Sequence, residues 1–487
     1  MNLTQLLMLS RKYAAVPVVQ QFRCPNFDSL AVLQHFKQTG TPTFLLQRRE
    51  HEQETTYLVV NPPVSYTLVG DQCLIQTAAG KTVSQQAPEQ VLEAVLKQYQ
   101  MPRLPDLPPF TGGLCGYFSY DYARQVLAPE KPVATPLQLP TFDLLLATEV
   151  IAYQPATQLV TLIKVVPSQT LKDQYAATQA TLAKRKAQLL ACPPFQAPPF
   201  QLTQAFHLRD SRAAFAQKVR MVQRHILAGD VFQLILSNPQ LAQMTGSLMA
   251  VAPTLFKENV TPYRFYFQHD QFEAVGASPE TLVALTAGRL TTFPLAGTRR
   301  RGKTVAEDQR LAAQLRASSK ENAEHNMLID LGRNDLGQVS QFGTVHVTAQ
   351  RQLLRFNKVM HLGSRIESQV RPDASPLAIV QALLPAGTLA GAPKRAAMHL
   401  ISQLEGVQRG MYGGCLGYLS FTGDLDLAIV IRLAYRQAQQ LVVQAGAGIV
   451  ADSQAQFEYQ EFHNKARAIL EAIQITAQGG MSDAVSD

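Results

Sequence analysis

The chain has 487 residues, 46% of them hydrophobic and 16% charged, and no apolar run long enough to span a membrane, so composition points to a soluble, enzyme-sized protein without a membrane role. A formal net charge of +8 raises the question of nucleic acid, but the basic residues are scattered and the one tight cluster is Arg299-Arg300-Arg301, so an anionic small substrate or an acidic protein partner is the better match. Cys24, Cys73, Cys115, Cys192 and Cys415 show no metal-ligand or CxxC spacing, and residues 1–10 lack the charged start and cleavage site of a secretion signal, so a reducing, cytoplasmic setting is expected.

Such a length allows about three domains of ~150 residues, or one large domain with an insertion. In chain order, β-rich runs at 55–60 and 159–166 alternate with proline-rich connections, and a helical stretch is predicted over 168–190. It runs into Pro193-Pro194-Phe195-Gln196-Ala197-Pro198-Pro199, which stops a helix and reads as a linker, so the main boundary is placed there. That divides the chain into a region 1–203, a region 204–476 and a tail 477–487 expected to be disordered. Downstream, a helix at 211–228 precedes a strand at 231–237, and a β-meander is expected over 417–435 and 440–450. Strands interleaved irregularly with helices argue for an α+β sandwich over a repeated βαβ unit.

The chemistry concentrates in two carboxylate pairs. Glu458 and Glu461, with Lys465, fall at i, i+3 and i+7 of a predicted helix and share one face, while Phe462, Ala466, Ile469 and Ile473 form a neighbouring apolar stripe. Glu321 and Glu324 repeat the i, i+3 spacing on another predicted helix. Either pair alone is ordinarily a solvated helix face; four carboxylates on two helices suggest a hard divalent cation such as Mg²⁺. Gly446-Ala447-Gly448 reads as a glycine turn closing a strand, with bare backbone beside the acidic helix. Arg432, between Ile431 and Leu433 in an apolar strand, calls for an anion. His361 alone is ordinarily a packed or solvated histidine. Two further stretches are set aside: the glycine spacing of Gly387 to Lys394 is too short for a phosphate loop, and too little chain follows Cys415 for an amidotransferase nucleophile domain.

Four ordered blocks carry a family resemblance: Phe293-Pro294-Leu295-Ala296-Gly297-Thr298-Arg299, Asp330-Leu331-Gly332-Arg333-Asn334-Asp335-Leu336-Gly337, Pro385-Ala386-Gly387-Thr388-Leu389-Ala390-Gly391-Ala392-Pro393-Lys394 and Gly446-Ala447-Gly448-Ile449-Val450-Ala451-Asp452-Ser453. They resemble the signature blocks of the chorismate-utilising enzymes, and specifically anthranilate synthase component I, densely from about Phe206 to Ile475. The resemblance implies a large two-sheet α+β sandwich with surrounding helices, a chorismate-binding catalytic domain over 204–476 and a regulatory or structural region over 1–203. It implies Mg²⁺, ammonia from a separate glutamine amidotransferase subunit (component II) in a hetero-oligomer, and chorismate converted to anthranilate and pyruvate. Carried over by residue, Glu324 and Glu461 bind the metal with Glu321 and Glu458 close by, while Arg432, Tyr412, Gly446, Ala447, Gly448 and Lys465 hold the substrate carboxylates. Gly297, Thr298 and Thr388 complete the pocket, Glu280 is the general acid, and His361 assists loss of pyruvate.

Two positions discriminate within the superfamily. Isochorismate and salicylate synthases carry a water-activating lysine where this chain has Gln233, and many aminodeoxychorismate synthases carry a nucleophilic lysine where it has Ala296. Direct attack by ammonia remains, which favours anthranilate over the alternatives of aminodeoxychorismate synthase component I or a catalytically silent subunit. Tryptophan-inhibited members resemble this chain at 45–48 and 259–264, but here Arg48 and Arg264 replace Ser and Met beside Pro262 and Tyr263, so weakened tryptophan inhibition is expected.

Overall fold

The computed structural model describes residues 1–38, 40–50, 53–127, 137–356 and 359–482. Among these, two antiparallel sheets of 12 strands each stack face to face, with helices packed around them. The α+β two-sheet expectation therefore holds.

Strands from both sides of the 193–199 segment enter both sheets. In the first sheet Thr43–Glu50 pairs with Tyr263–His269 (Leu46 opposite Phe265), and in the second Gly113–Phe118 pairs with Cys415–Ser420 (Gly116 opposite Gly417). Central strands such as Phe272–Ser278 and Leu425–Ile429 are buried at every position, as expected of strands covered on both faces. Between the sheets Phe110 and Tyr418 stack at 4.5 Å and Tyr57 meets both edge-on at 5.7 Å, and His269 at the end of a central strand of one sheet meets Asp143 of the other at 2.8 Å.

The expected meander is divided between sheets. Cys415–Ser420 and Leu425–Ile429 lie in the second, Leu433–Gln437 and Gln440–Ile449 in the first, and the chain changes sheet at 430–432. A matching change occurs at 279–280, between Phe272–Ser278 of the first sheet and Thr281–Thr286 of the second. The two crossings lie side by side: Ala277 N–H donates to Arg432 C=O (3.1 Å), Ile429 N–H to Glu280 C=O (3.0 Å), and Ser278 Oγ to Ile429 C=O (2.6 Å).

Two helices stand beside these crossings. Ser319–Gly337 starts at Ser318, whose hydroxyl accepts from Glu321 N–H. Ala455–Ser482 buries Phe462, Ala466, Ile469 and Ile473, the stripe expected from spacing, against the Gln440–Ile449 strand and the Arg212–Leu227 helix. It runs through 477–482, and 483–487 lie outside the described residues. Among the described residues no helix is long and apolar enough to cross a membrane.

Candidate active site

Glu280 is 6% exposed at the first crossing, because a sheet change forces a short inward-facing connection. Its Oε1 accepts from the Thr388 hydroxyl (3.1 Å). Burial raises its pKa to about 7 against the opposing pull of Thr388, the Leu295 N–H, Lys465 and Arg432. Glu280 is therefore a carboxyl that holds its proton for much of the time at neutral pH.

Arg432 is not a strand residue as its apolar neighbours suggested. It occupies the second crossing with φ +52°, a left-handed conformation forced by the change of sheet. Burial lowers its pKa and Glu280 raises it, and among the described residues its guanidinium has no ion-pair partner within 4 Å. Glu280 acts on it electrostatically without pairing with it, which leaves the guanidinium able to take up an external anion.

His361 lies on the Val359–Gln369 strand opposite Thr298. Its Nδ1 is 2.9 Å from Gly297 C=O and 3.2 Å from Thr298 Oγ1; a carbonyl can only accept, so Nδ1 carries the proton. Its Nε2 is buried with no hydrogen-bond partner among the described residues, and burial together with the Arg432 charge holds the pKa down at about 4. His361 is thus neutral, with a free lone pair.

The two acidic pairs come within electrostatic reach of each other. Burial first, then Glu321 and Glu461, raise the pKa of Glu324, whose Oε1 accepts from Gln233 Nε2 at 3.2 Å. Burial likewise raises Glu458, whose Oε1 accepts from Ser453 (2.7 Å) while its Oε2 is buried without a partner among the described residues. The other two are engaged by cations of the chain: Arg299 meets Glu321 at 3.3 Å and Lys465 meets Glu461 at 2.7 Å. Among the described residues no three acidic, histidine or cysteine groups converge to metal-ligand spacing. Gly297, at φ +64°, permits this packing, since a Cβ there would lie 2.9 Å from Glu321 Oε2.

Gly446-Ala447-Gly448 is a strand segment and not a turn, paired with Ser237, Leu236 and Ile235. Its other edge is open, because the neighbouring Leu433–Gln437 strand pairs only as far as Val443 before turning away to the crossing at Arg432. Lys465 Nζ reaches in to donate to Gly446 C=O at 3.1 Å. A Cβ at Gly446 would lie 3.0 Å from the buried Tyr412 hydroxyl, and one at Gly448 would lie 2.5 Å from Gln233 Nε2. Glycine here lets backbone and side chains share the site.

The four residues placed by resemblance at a tryptophan pocket do not share a face. Arg48 lies over the Tyr263 ring at 4.5 Å with Nε 2.7 Å from Asp426, while Tyr263 donates to Asp426 (2.5 Å). Arg264, the next residue along the strand, turns to the opposite face and pairs with Glu54 at 2.7 Å. Pro262 accepts from Arg49 N–H. The set-aside motifs also resolve: Cys415 is a fully buried strand thiol pushed up to about 12, and Lys394 pairs with Asp335 at 2.9 Å.

Sequence reasoning treated Gln233 only as a missing lysine; its amide is in fact the partner of Glu324. It also passed over Arg299 as a ligand of Glu321, although the arginine cluster was the available signal. Arg409, 1% exposed and ion-paired to Glu405, gave no signal because Gly406 ends the helix between them.

A model of the chorismate binding enzyme family matches residues 41–471. Anthranilate synthase component 1 of Acinetobacter calcoaceticus is 36% identical over 98% of this chain and 99% of its own, and that of Pseudomonas aeruginosa is 39% identical over 80% of each. The crystal structure of anthranilate synthase component I from Streptococcus pneumoniae TIGR4 superposes with a TM-score of 0.75 at 31% identity, covering 85% of this chain and 92% of that one. MenF, the menaquinone-specific isochorismate synthase of Escherichia coli, shares the fold with a TM-score of 0.69 at 23% identity. Two stacked sheets, a buried acid of raised pKa at one crossing, an arginine at the other with no ion-pair partner among the described residues, and these full-length matches together place the chain in the chorismate binding enzyme family, among the enzymes of the anthranilate synthase component 1 type.

Proposed function

We propose that this chain converts chorismate and ammonia to anthranilate and pyruvate, with ammonia supplied by a glutamine amidotransferase subunit. The observation that carries this reading is a neutral acid and a neutral base in one anion-seeking site: Glu280 with its pKa at about 7 and His361 with its pKa at about 4. Arg432 and Lys465 supply positive charge for a dicarboxylate, and the open edge at Gly446 supplies backbone groups. Ammonia adds at C2 as the C4 hydroxyl departs; Glu280 gives that oxygen its proton, so water leaves and the carboxylate remains. His361 Nε2 then offers the lone pair that takes up the C2 ring proton as the C3–O bond breaks, and the departing enolpyruvate takes that proton back onto its methylene carbon, giving pyruvate.

Buried Gln233 and Ala296 favour ammonia as the nucleophile. An amide cannot deprotonate water, and a methyl group cannot form a covalent adduct. The carboxylates fit a hard cation, because Glu458 Oε2 is buried without a partner among the described residues and Glu324 is pressed by two other carboxylates. Glu324 and Glu461 would hold Mg²⁺, with Glu321 and Glu458 beside them; when bound it would neutralise a substrate carboxylate and polarise it.

The corner at Arg48, Tyr263 and Asp426 we assign to end-product control, with Arg48 already on the ring face and paired to the carboxylate that an incoming ammonium would use. The test of function is incubation with chorismate, Mg²⁺ and ammonium. Anthranilate should form, and glutamine should serve only when an amidotransferase subunit is present. Accumulation of 4-amino-4-deoxychorismate or isochorismate would overturn the reading.

A further inference from the structure

We propose that Arg409 is a positioning residue for this reaction, its guanidinium fixing the wall that carries Glu280 and Thr388 relative to the strand that carries Gln233 and the loop that carries Tyr412. The proposal rests on the active-site reading above. Arg409 is among the largest fully buried side chains, and its donors fan out to separate segments. Nη1 donates to Leu389 C=O at 2.6 Å, one residue beyond the Thr388 that bonds Glu280. Nη2 donates to Ile235 C=O at 2.7 Å, two residues beyond the Gln233 that bonds Glu324.

The remaining donors grip Glu405: Nε to Oε2 at 2.8 Å and Nη2 to Oε1 at 2.6 Å. Glu405 Oε1 also accepts from Ser237 N–H and Oγ, both at 2.8 Å, and Gln444 donates to the same Ser237 Oγ at 2.8 Å. The network therefore extends to the strand that ends in Gly446-Ala447-Gly448. On its far side Arg409 lies 4.6 Å from the Tyr120 ring centre and 5.8 Å from that of Tyr412. The loop between them is clamped by Asp121 Oδ2 accepting from Gly410 N–H at 2.8 Å and by Tyr120 N–H donating to Gly410 C=O at 3.0 Å.

A buried ion pair is a poor way to gain stability, because desolvation offsets the attraction and a well-packed apolar pair holds a fold as well. An apolar pair cannot bond two carbonyls from different segments at fixed angles while a carboxylate locks the plane of the donor. Lysine cannot either, since one ammonium on a flexible stem does not span three acceptors in a planar fork. What the pair supplies is geometry.

The experiment compares wild type with Arg409→Lys and with the double variant Arg409→Met/Glu405→Leu, by thermal unfolding and by kcat and KM for chorismate with ammonium across pH. The double variant should unfold cooperatively near the wild-type temperature, yet lose about 10-fold or more in kcat with KM changed less, because misplacing reacting groups by about an ångström costs this much. Arg409→Lys should also lose kcat, and the alkaline limb of its pH profile should move upward as Thr388 ceases to hold the Glu280 carboxylate. Wild-type kcat and pH profile in either folded variant overturns the proposal, as does a kcat loss matched by the unfolded fraction. If the double variant does not fold, the folded lysine variant decides alone by the same outcomes. A product other than anthranilate would sink the functional reading while leaving the Arg409 effect measurable.

Discussion

Burial of Glu280 has a thermodynamic signature separate from its chemistry. Its pKa rises from an ordinary 4.5 to about 7 on folding, so between those values the folded chain holds more protons at this position than the unfolded one, and stability falls as pH rises through that window. Glu280→Gln removes the charge that must be buried. The variant should gain up to about 3 kcal/mol over wild type at pH 8 and nothing near pH 4, as thermal or denaturant unfolding at the two pH values would show. Its kcat should drop by ~10²–10⁴ with chorismate binding retained; a parallel loss of binding would make Glu280 a substrate-positioning group instead. For His361, whose pKa of about 4 keeps it neutral through the working range, replacement by Asn should slow the second step and let an aminated ring compound that still carries the enolpyruvyl group accumulate. Mass spectrometry of the quenched reaction would detect it, and a uniform slowing without that compound would restrict His361 to holding Gly297 and Thr298 in place.

The helices Ser319–Gly337 and Ala455–Ser482 each present one carboxylate engaged by a cation of the chain and one pressed by burial. Glu324→Gln or Glu461→Gln should therefore weaken Mg²⁺ or Mn²⁺ binding by at least about tenfold in calorimetric titration and severely depress turnover. Unchanged affinity in both would show that these carboxylates do not hold the metal. At the strand scale, Thr43–Glu50 and Tyr263–His269 set Arg48 on Tyr263, so wild type should be weakly inhibited by tryptophan and Arg48→Ser more strongly. Potent inhibition of wild type at low micromolar tryptophan would show that the arginine yields. The acidic pairs and the apolar stripe of the last helix were legible because helical spacing is a local property. The crossings were not: Arg432 among Ile431 and Leu433 has the local pattern of a strand, and only the change of sheet, a tertiary event, gives it φ +52°. The open edge at Gly446 was likewise hidden, since the glycines are needed for contacts with Tyr412 and Gln233 far away in sequence.

At the scale of the whole molecule, each sheet joins a block of strands from before 193–199 to a block from after it along one seam, Thr43–Glu50 against Tyr263–His269 in the first and Gly113–Phe118 against Cys415–Ser420 in the second, so neither part completes a sheet alone. A fragment starting at 204 would bare the edges of Tyr263–His269 and Cys415–Ser420, which are central and apolar, and it should aggregate. A soluble 204–482 fragment with cooperative unfolding would refute this. The two-sheet class was legible from strand runs and from family resemblance, but the two seams were not, because pairing partners such as Leu46 and Phe265 carry no local mark of each other. The two seams also bear on how the protein is made. On the ribosome, Thr43–Glu50 can take up its neighbour Gln53–Val60 at once, but its other edge waits until Tyr263–His269 has been translated, and Gly113–Phe118 waits until Cys415–Ser420. Nascent chains thus carry unpaired strand edges through most of synthesis, so yield in the cell should depend on chaperone capacity and elongation rate more than on the stability of the finished fold.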